Sequence, residues 1–292
     1  MKFLRTRLVF PLDSRHLSDV QELPELLIEP GRAGKNYWRD LWHYRELFYF
    51  LAWRDILVRY KQTAIGVAWA VIRPLLMTFI FTAVFGKIGK FPVPADVPYF
   101  LIILAAMLPW QFFSTSMSEA SNSLITNANL ISKVYFPRLV VPAGAVITSF
   151  VDFLITLVLL AISLVWLRFM PGMQLVFLPL FMLLALGASL GIGLWLCALN
   201  VEYRDFRYIV PFIVQLGMYV SPVFYMTPEK WRWLFALNPM VGVIEGFRWS
   251  LLAGKTPLDF QTVLTSVAVV VLLLVSGVWY FRKMERTFAD VI

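Results

Sequence analysis

The sequence predicts an all-α polytopic membrane protein with six transmembrane helices, an N-terminal amphipathic interface helix and a re-entrant helical hairpin between spans five and six. Three observations lead there. The chain of 292 residues is 60% hydrophobic with a mean hydropathy of +0.73, whereas soluble domains carry roughly 45–50% apolar residues. Six stretches with little or no charge reach the roughly 20 helical residues that cross about 30 Å of hydrocarbon. The basic residues gather at the ends of these stretches, as membrane-anchoring charges do.

Residues 1–36 mix Pro24, Pro30, Gly31 and Gly34 with charges and read as an irregular cytoplasmic segment. No isolated apolar core of signal-peptide length occurs in the first sixty residues, so no cleavable leader is expected. Over 37–63, Trp38, Leu41, Trp42, Phe48, Tyr49, Ala52, Trp53, Ile56, Leu57 and Tyr60 recur at steps of three and four. Arg39, His43, Glu46 and Arg54 take the other side, which predicts a helix lying in the plane of the inner interface.

The six-helix transmembrane domain occupies 64–292. Its spans are expected at 66–85, 99–118, 139–167, 174–199, 208–225 and 260–281. Arg73 lies near enough to the cytoplasmic end of the first to snorkel. Asp152 interrupts the third, and Pro171-Gly172 turns the chain into the fourth. Residues 233–244 are apolar but too few to span, and Asn238-Pro239 breaks them. Broken backbone at membrane depth is tolerated where protein or a water-filled cavity satisfies it, which favours a re-entrant hairpin over an amphipathic segment on the outer surface.

Orientation follows from the basic residues. With the N-terminus inside, nineteen of the 26 Lys and Arg fall on cytoplasmic pieces and seven outside, so both termini are expected in the cytoplasm. The formal charge of +8 follows the spans and includes eleven bases before residue 66, which speaks against a nucleic-acid groove. His16 and His43 both precede the first span, and Cys197 is the only cysteine. The membrane domain thus offers neither imidazole chemistry nor a disulfide or thiolate metal site within one copy. Gly31-Arg32-Ala33-Gly34-Lys35-Asn36 lacks the spacing and the Ser/Thr of a phosphate loop, so no nucleotide site is expected here.

A series of motifs then stands in order. Arg54-Asp55-Ile56-Leu57-Val58-Arg59-Tyr60-Lys61-Gln62-Thr63-Ala64-Ile65-Gly66, followed by Trp69 and Arg73-Pro74, opens the first span. Asn127-Ala128-Asn129-Leu130-Ile131-Ser132-Lys133-Val134-Tyr135-Phe136-Pro137-Arg138 and Asn200-Val201-Glu202-Tyr203-Arg204-Asp205-Phe206-Arg207-Tyr208 form the two inner loops. Ser221-Pro222-Val223-Phe224-Tyr225 and Leu237-Asn238-Pro239-Met240 close the set. From about residue 40 onward the chain resembles the permease subunits of type-2 ABC exporters that carry lipopolysaccharide O-antigen, capsule or teichoic acid.

That resemblance implies a homodimer whose two six-helix halves enclose one path, driven by two copies of a separate cytoplasmic ATPase that binds ATP and magnesium. It implies a polysaccharide on an undecaprenyl-type lipid as cargo and the bacterial inner membrane as location. No covalent step is needed, so no catalytic residue, metal or cofactor is expected in this chain. The inner loops would act as coupling helices, which assigns Asn127, Lys133, Phe136, Arg138, Glu202, Arg204 and Asp205 to the ATPase contact. Without the resemblance, Lys133, Arg138, Arg204 and Arg207 read equally as positive-inside anchors.

Sugar faces pack on aromatic rings, so Tyr99, Trp110, Phe112, Phe113, Tyr219, Phe224 and Tyr225 are candidates for the substrate path. Interface belts and lipid-facing packing account for the same residues. Arg59, Lys61 and Arg73 form a basic cluster at the mouth of the first span. It suits a lipid pyrophosphate through charge-assisted hydrogen bonds, and equally an ordinary anionic headgroup.

Glu245 and Arg248, three apart on a helix, are expected to pair or to border an external gate. Asp152 and Glu119 have no evident basic partner at their depth, which is thin support for a gradient-driven carrier. Two further alternatives remain open: an exporter of a small drug or peptide, and a membrane-embedded transferase on lipid-linked sugars. The aromatic-rich interface helix disfavours the former, and the scattered acids disfavour the latter.

Overall fold

The computed structural model describes residues 37–61, 66–89, 93–94, 96–285 and 287–288. The irregular segment expected over 1–36, its phosphate-loop-like hexapeptide, and the last two residues of the expected interface helix lie outside the described residues. Among the described residues the chain forms helices and no strand: α1 (Tyr37–His43), α2 (Arg45–Lys61), α3 (Gly66–Phe81), α4 (Tyr99–Thr126), α5 (Ala128–Ile131), α6 (Val140–Trp166), α7 (Leu178–Glu202), α8 (Phe206–Val220), α9 (Arg232–Phe235), α10 (Pro239–Leu251) and α11 (Phe260–Met284).

Among the described residues, five helical stretches are long and apolar enough to cross a membrane: Ala68–Gly86, Tyr99–Thr126, Val140–Trp166, Met173–Glu202 and Phe260–Met284. The remaining expected span, 208–225, is shorter than anticipated. It is α8, 15 residues long, or about 22 Å. Pro222 pushes the residue before it out of the helical region, and Ser221 is extended at φ −84°, ψ 145°. The count of six is therefore not reached by helix length alone.

Helix α4 is the centre of the bundle. Leu101 to Trp110 are buried without interruption, because α6, α7 and α10 pack around the helix. α7 and α11 approach through glycines. A Cβ on Gly191 would meet the Leu273 carbonyl carbon at 2.8 Å, and one on Gly277 would meet the Gly191 oxygen at 2.5 Å. Small residues at such a crossing let two backbones touch where lipid supplies no hydrophobic drive. Beside it, Trp195 Nε1 donates to Ser276 Oγ at 3.0 Å and its ring stacks on Tyr280.

The segment expected to re-enter the membrane has a helix–turn–helix shape. A 3₁₀ turn (Glu229–Trp231) leads into α9, a hydrogen-bonded turn over residues 236–238 follows, and then α10. Asn238 caps α10 by accepting the Met240 N–H at 3.0 Å, with Pro239 at the first helical position, the arrangement that satisfies a free N–H and presets φ. α10 is buried along almost its whole length, whereas Trp231 and Trp233 on the first arm are exposed.

The region expected to form one interface helix is two helices that meet at Tyr44. Leu51 and Ala52 are buried, and α2 packs along α6. Trp38, Trp42, Tyr49, Phe50 and Trp53 remain exposed, which suits a helix whose outer face meets headgroups.

Candidate functional site

A cavity of about 590 Å³ lies between α2, α3, α4 and α6. Its polar groups come from helical spacing. Gln111, Thr115 and Glu119 follow at four-residue steps on α4, and Ser149, Asp152 and Thr156 at three and four on α6, so each set lines one face. Trp69 and Arg73 of α3 and Phe112 of α4 contribute to the remaining wall.

Arg59, from the last turn of α2, reaches across this cavity. Its Nη1 donates to Asp152 Oδ2 at 2.6 Å and its Nη2 to Glu119 Oε1. The Tyr60 hydroxyl donates to Asp152 Oδ1, and Ser149 Oγ donates to Glu119 Oε2 at 3.0 Å. The absence of a basic partner expected for Asp152 and Glu119 is thereby corrected. A residue 93 positions from Asp152 and 60 from Glu119 supplies the charge, and no local pattern can announce a pairing that only the packing of α2 on α6 creates.

The expected basic cluster is divided. Arg59 and Arg73 line the same cavity, while Lys61 is exposed outside it. Arg59 is committed to two carboxylates, and Arg73 is exposed at the rim.

The candidate path aromatics occupy several environments. Trp110, Phe112, Phe113 and Phe224 are buried in the core of the single chain. Tyr99 donates its hydroxyl to the Phe224 carbonyl at 2.7 Å, and Tyr225 donates to the Tyr219 and Val220 carbonyls at the end of α8. Tyr219 is exposed on α8, and Phe112 alone of the seven lines the cavity.

The two inner loops lie at the same end of the bundle. Asn200 Nδ2 donates to the Ser121 carbonyl and to Asn122 Oδ1, joining α7 to α4. Lys133, Val134 and Tyr135 are exposed in one loop, and residues 202–205 in the other. Three of the expected coupling residues turn inward. Asn127 accepts from Arg54 Nη2 at 3.0 Å and donates to the Ser123 carbonyl. Phe136 is buried. The Arg138 N–H donates to Glu285 Oε1 at 2.8 Å.

Arg248 departs from the expected pairing with Glu245. It is fully enclosed, and its guanidinium donates to the carbonyls of Ile102, Tyr225 and Val223 at 3.1, 3.0 and 2.7 Å. Glu245 instead accepts the Thr227 hydroxyl. The turn after α8 leaves carbonyls without helical partners, and a long cation one helix away satisfies them. That need arises from the break at Ser221-Pro222, which the spacing of Glu245 and Arg248 does not reveal.

The sequence pattern described as ABC-2 type transporter matches residues 46–252, from the start of α2 to just beyond α10. The chain is 28% identical over 243 residues to the O-antigen export system permease protein RfbA of Klebsiella pneumoniae, covering 82% of this chain and 92% of that one. It is 29% identical over 259 residues to the protein of the same name from Myxococcus xanthus, covering 87% and 98%. The capsule polysaccharide export inner-membrane protein CtrC of Neisseria meningitidis serogroup B is 26% identical over 226 residues, covering 73% and 82%. With the pattern running through the interface helix, the central spans and the capped helix α10, this chain belongs to the ABC-2 type transporter family.

Proposed function

We propose that this chain is the membrane-spanning half of an ATP-driven exporter that moves lipid-linked polysaccharide, O-antigen-like or capsular, from the cytoplasm across the bacterial inner membrane. The observation that carries this reading is the likeness to export permeases for O-antigen and for capsule along most of the length of each. Two copies pair to enclose one path, and α8 supplies the sixth crossing together with the turn that follows it. Both termini are cytoplasmic, and α9 with α10 forms the re-entrant hairpin.

ATP and magnesium are bound by a separate ATPase, two copies per permease dimer. Its contact is made by Lys133, Glu202, Arg204 and Asp205 on the exposed loops, while Asn127, Phe136 and Arg138 hold the loops in shape. With Arg59 engaged by Glu119 and Asp152, Lys61 and Arg73 are the groups left to attract a lipid pyrophosphate. Exposed aromatics such as Tyr219 line the path once two copies face each other.

The test is deletion of the gene followed by localisation of the polymer. Lipid-linked polysaccharide should accumulate on the cytoplasmic side while surface polymer disappears, and restoration should require an ATPase partner competent in hydrolysis. Normal surface polymer would direct attention to a small-molecule cargo, and loss of polymer everywhere to a biosynthetic role.

A further inference from the structure

A second cavity, of about 950 Å³, opens between α1, the loop from α5 to α6, and the last three turns of α11. One wall is apolar: Leu274, Val275, Val278 and Trp279 share a side of α11, and Val275 and Trp279 are 67% and 62% exposed. The wall ends in cations. Arg282 and Lys283 follow one turn later, and Arg138 faces them from the loop. From Leu274 to Arg282 the slot runs about 12 Å along the helix axis.

The cations are held in place. The Arg282 guanidinium lies 4.4 Å from the centroid of the Tyr37 ring, and the Lys283 ammonium lies 5.5 Å from that of Trp279. The Arg138 guanidinium donates to the Glu285 carbonyl. Asp40 and Glu285 are the acids of the same cavity. Burial pushes the Glu285 carboxyl above its usual range, and that carboxylate already accepts the Arg138 backbone N–H. Trp38 and Tyr135 stand at the polar end, both more than half exposed, the amphipathic rings expected at headgroup level.

We infer that this cavity binds one anionic diacyl phospholipid of the bilayer, its acyl chain along Leu274, Val275 and Val278 and its phosphate against Arg138, Arg282 and Lys283. A free phosphate would have no use for the apolar wall, and a neutral lipid none for three clustered bases. Basic pockets where helices leave the cytoplasmic leaflet are suited to such headgroups. The site shares no residue with the cavity around Arg59, so it goes beyond the transport reading and stands whatever the cargo. The lipid ties α1 to α11.

Native mass spectrometry of the detergent-purified transporter, delipidated and then offered phosphatidylglycerol or phosphatidylcholine, tests the assignment. One phosphatidylglycerol per chain should be retained in preference to phosphatidylcholine. Each base near an anionic headgroup is worth about fivefold, so Arg282→Gln with Lys283→Gln should weaken retention about 25-fold. Lys230→Gln with Lys255→Gln, the same charge change elsewhere, should leave it unchanged. Val275→Trp, which fills the slot and keeps every charge, should also lose the lipid. Equal retention of the two lipids, equal loss in both double variants, retention in Val275→Trp, or selective displacement by undecaprenyl phosphate would each overturn it.

Discussion

Replacing Arg59 by Met is expected to release α2 from the bundle while leaving the bundle folded. Arg59 pairs with both Asp152 and Glu119, and the three side chains are 27–30% exposed. Fully exposed ion pairs contribute about 0–1 kcal/mol, and removing one partner of an enclosed pair costs about 3–5 kcal/mol. Partial exposure with two pairs broken at once places the loss near ~2 kcal/mol, about thirtyfold in an equilibrium. Hydrogen–deuterium exchange read by mass spectrometry reports this directly. Amides of Arg45–Lys61 should exchange roughly thirtyfold faster, while those of α7 and α11 should not change. Without Arg59, Glu119 and Asp152 are left as like charges lining one cavity. Adding Asp152→Asn to Arg59→Met should therefore recover about fivefold of the protection, near ~1 kcal/mol. Unaltered exchange in α2, or identical exchange in the single and double variants, would refute the reasoning.

Gly277→Ala places a methyl 2.5 Å from the Gly191 backbone oxygen and should destabilise by about 1–3 kcal/mol. Gly144→Ala, whose nearest neighbour lies at 4.0 Å, should be neutral, and thermal unfolding in detergent separates the two. Arg248→Met leaves three carbonyls without their donor and should cost about 3–5 kcal/mol, seen as loss of monodisperse protein on size exclusion. Asp259 caps α11, accepting the Thr262 hydroxyl and the N–H groups of Gln261 and Thr262. These bonds, that to the Thr262 hydroxyl first, hold its carboxyl below the usual range. A carboxylate depressed on folding stabilises above its unfolded pKa of about 3.9 and loses that contribution as pH falls through the lower folded value. Asp259→Ala should therefore cost about 1 kcal/mol near neutrality and progressively less on acidification. Exchange of the first turn of α11 measures it, and an equal effect at both pH extremes would count against the cap.

Much of the fold was legible because lipid imposes a simple constraint: every backbone polar group in the hydrocarbon must be satisfied within a helix. The charge-poor runs around Val140–Trp166, Met173–Glu202 and Phe260–Met284 therefore show where helices form. At Asn238-Pro239 the sequence showed the break in the apolar run, and the structure adds that Asn238 caps α10 by accepting the Met240 N–H. The helix expected over 208–225 ends early, at Val220, since hydropathy counts residues and does not register that Pro222 ends the helix.

The candidate site was legible only in its parts. Arg59, Asp152 and Glu119 each stood out as ions in or near apolar surroundings, but their union depends on α2 folding back along α6. Phe136 and Arg138 belong to an exposed-looking loop, and the structure turns them inward to pack and to hold Glu285. Arg248 looked like one member of an i, i+3 pair, yet the broken turn after α8 offers the carbonyls of Val223 and Tyr225 and α4 offers that of Ile102, and these take its N–H groups in place of a single carboxylate. By itself, then, the sequence determined the membrane class, the all-helical build with most of its long apolar helices, and the kinship with exporters, because these follow from hydropathy and ordered motifs. Tertiary structure alone decided which charges meet, which loop residues face outward and where two cavities open, because those depend on contacts between residues tens of positions apart that no local period encodes.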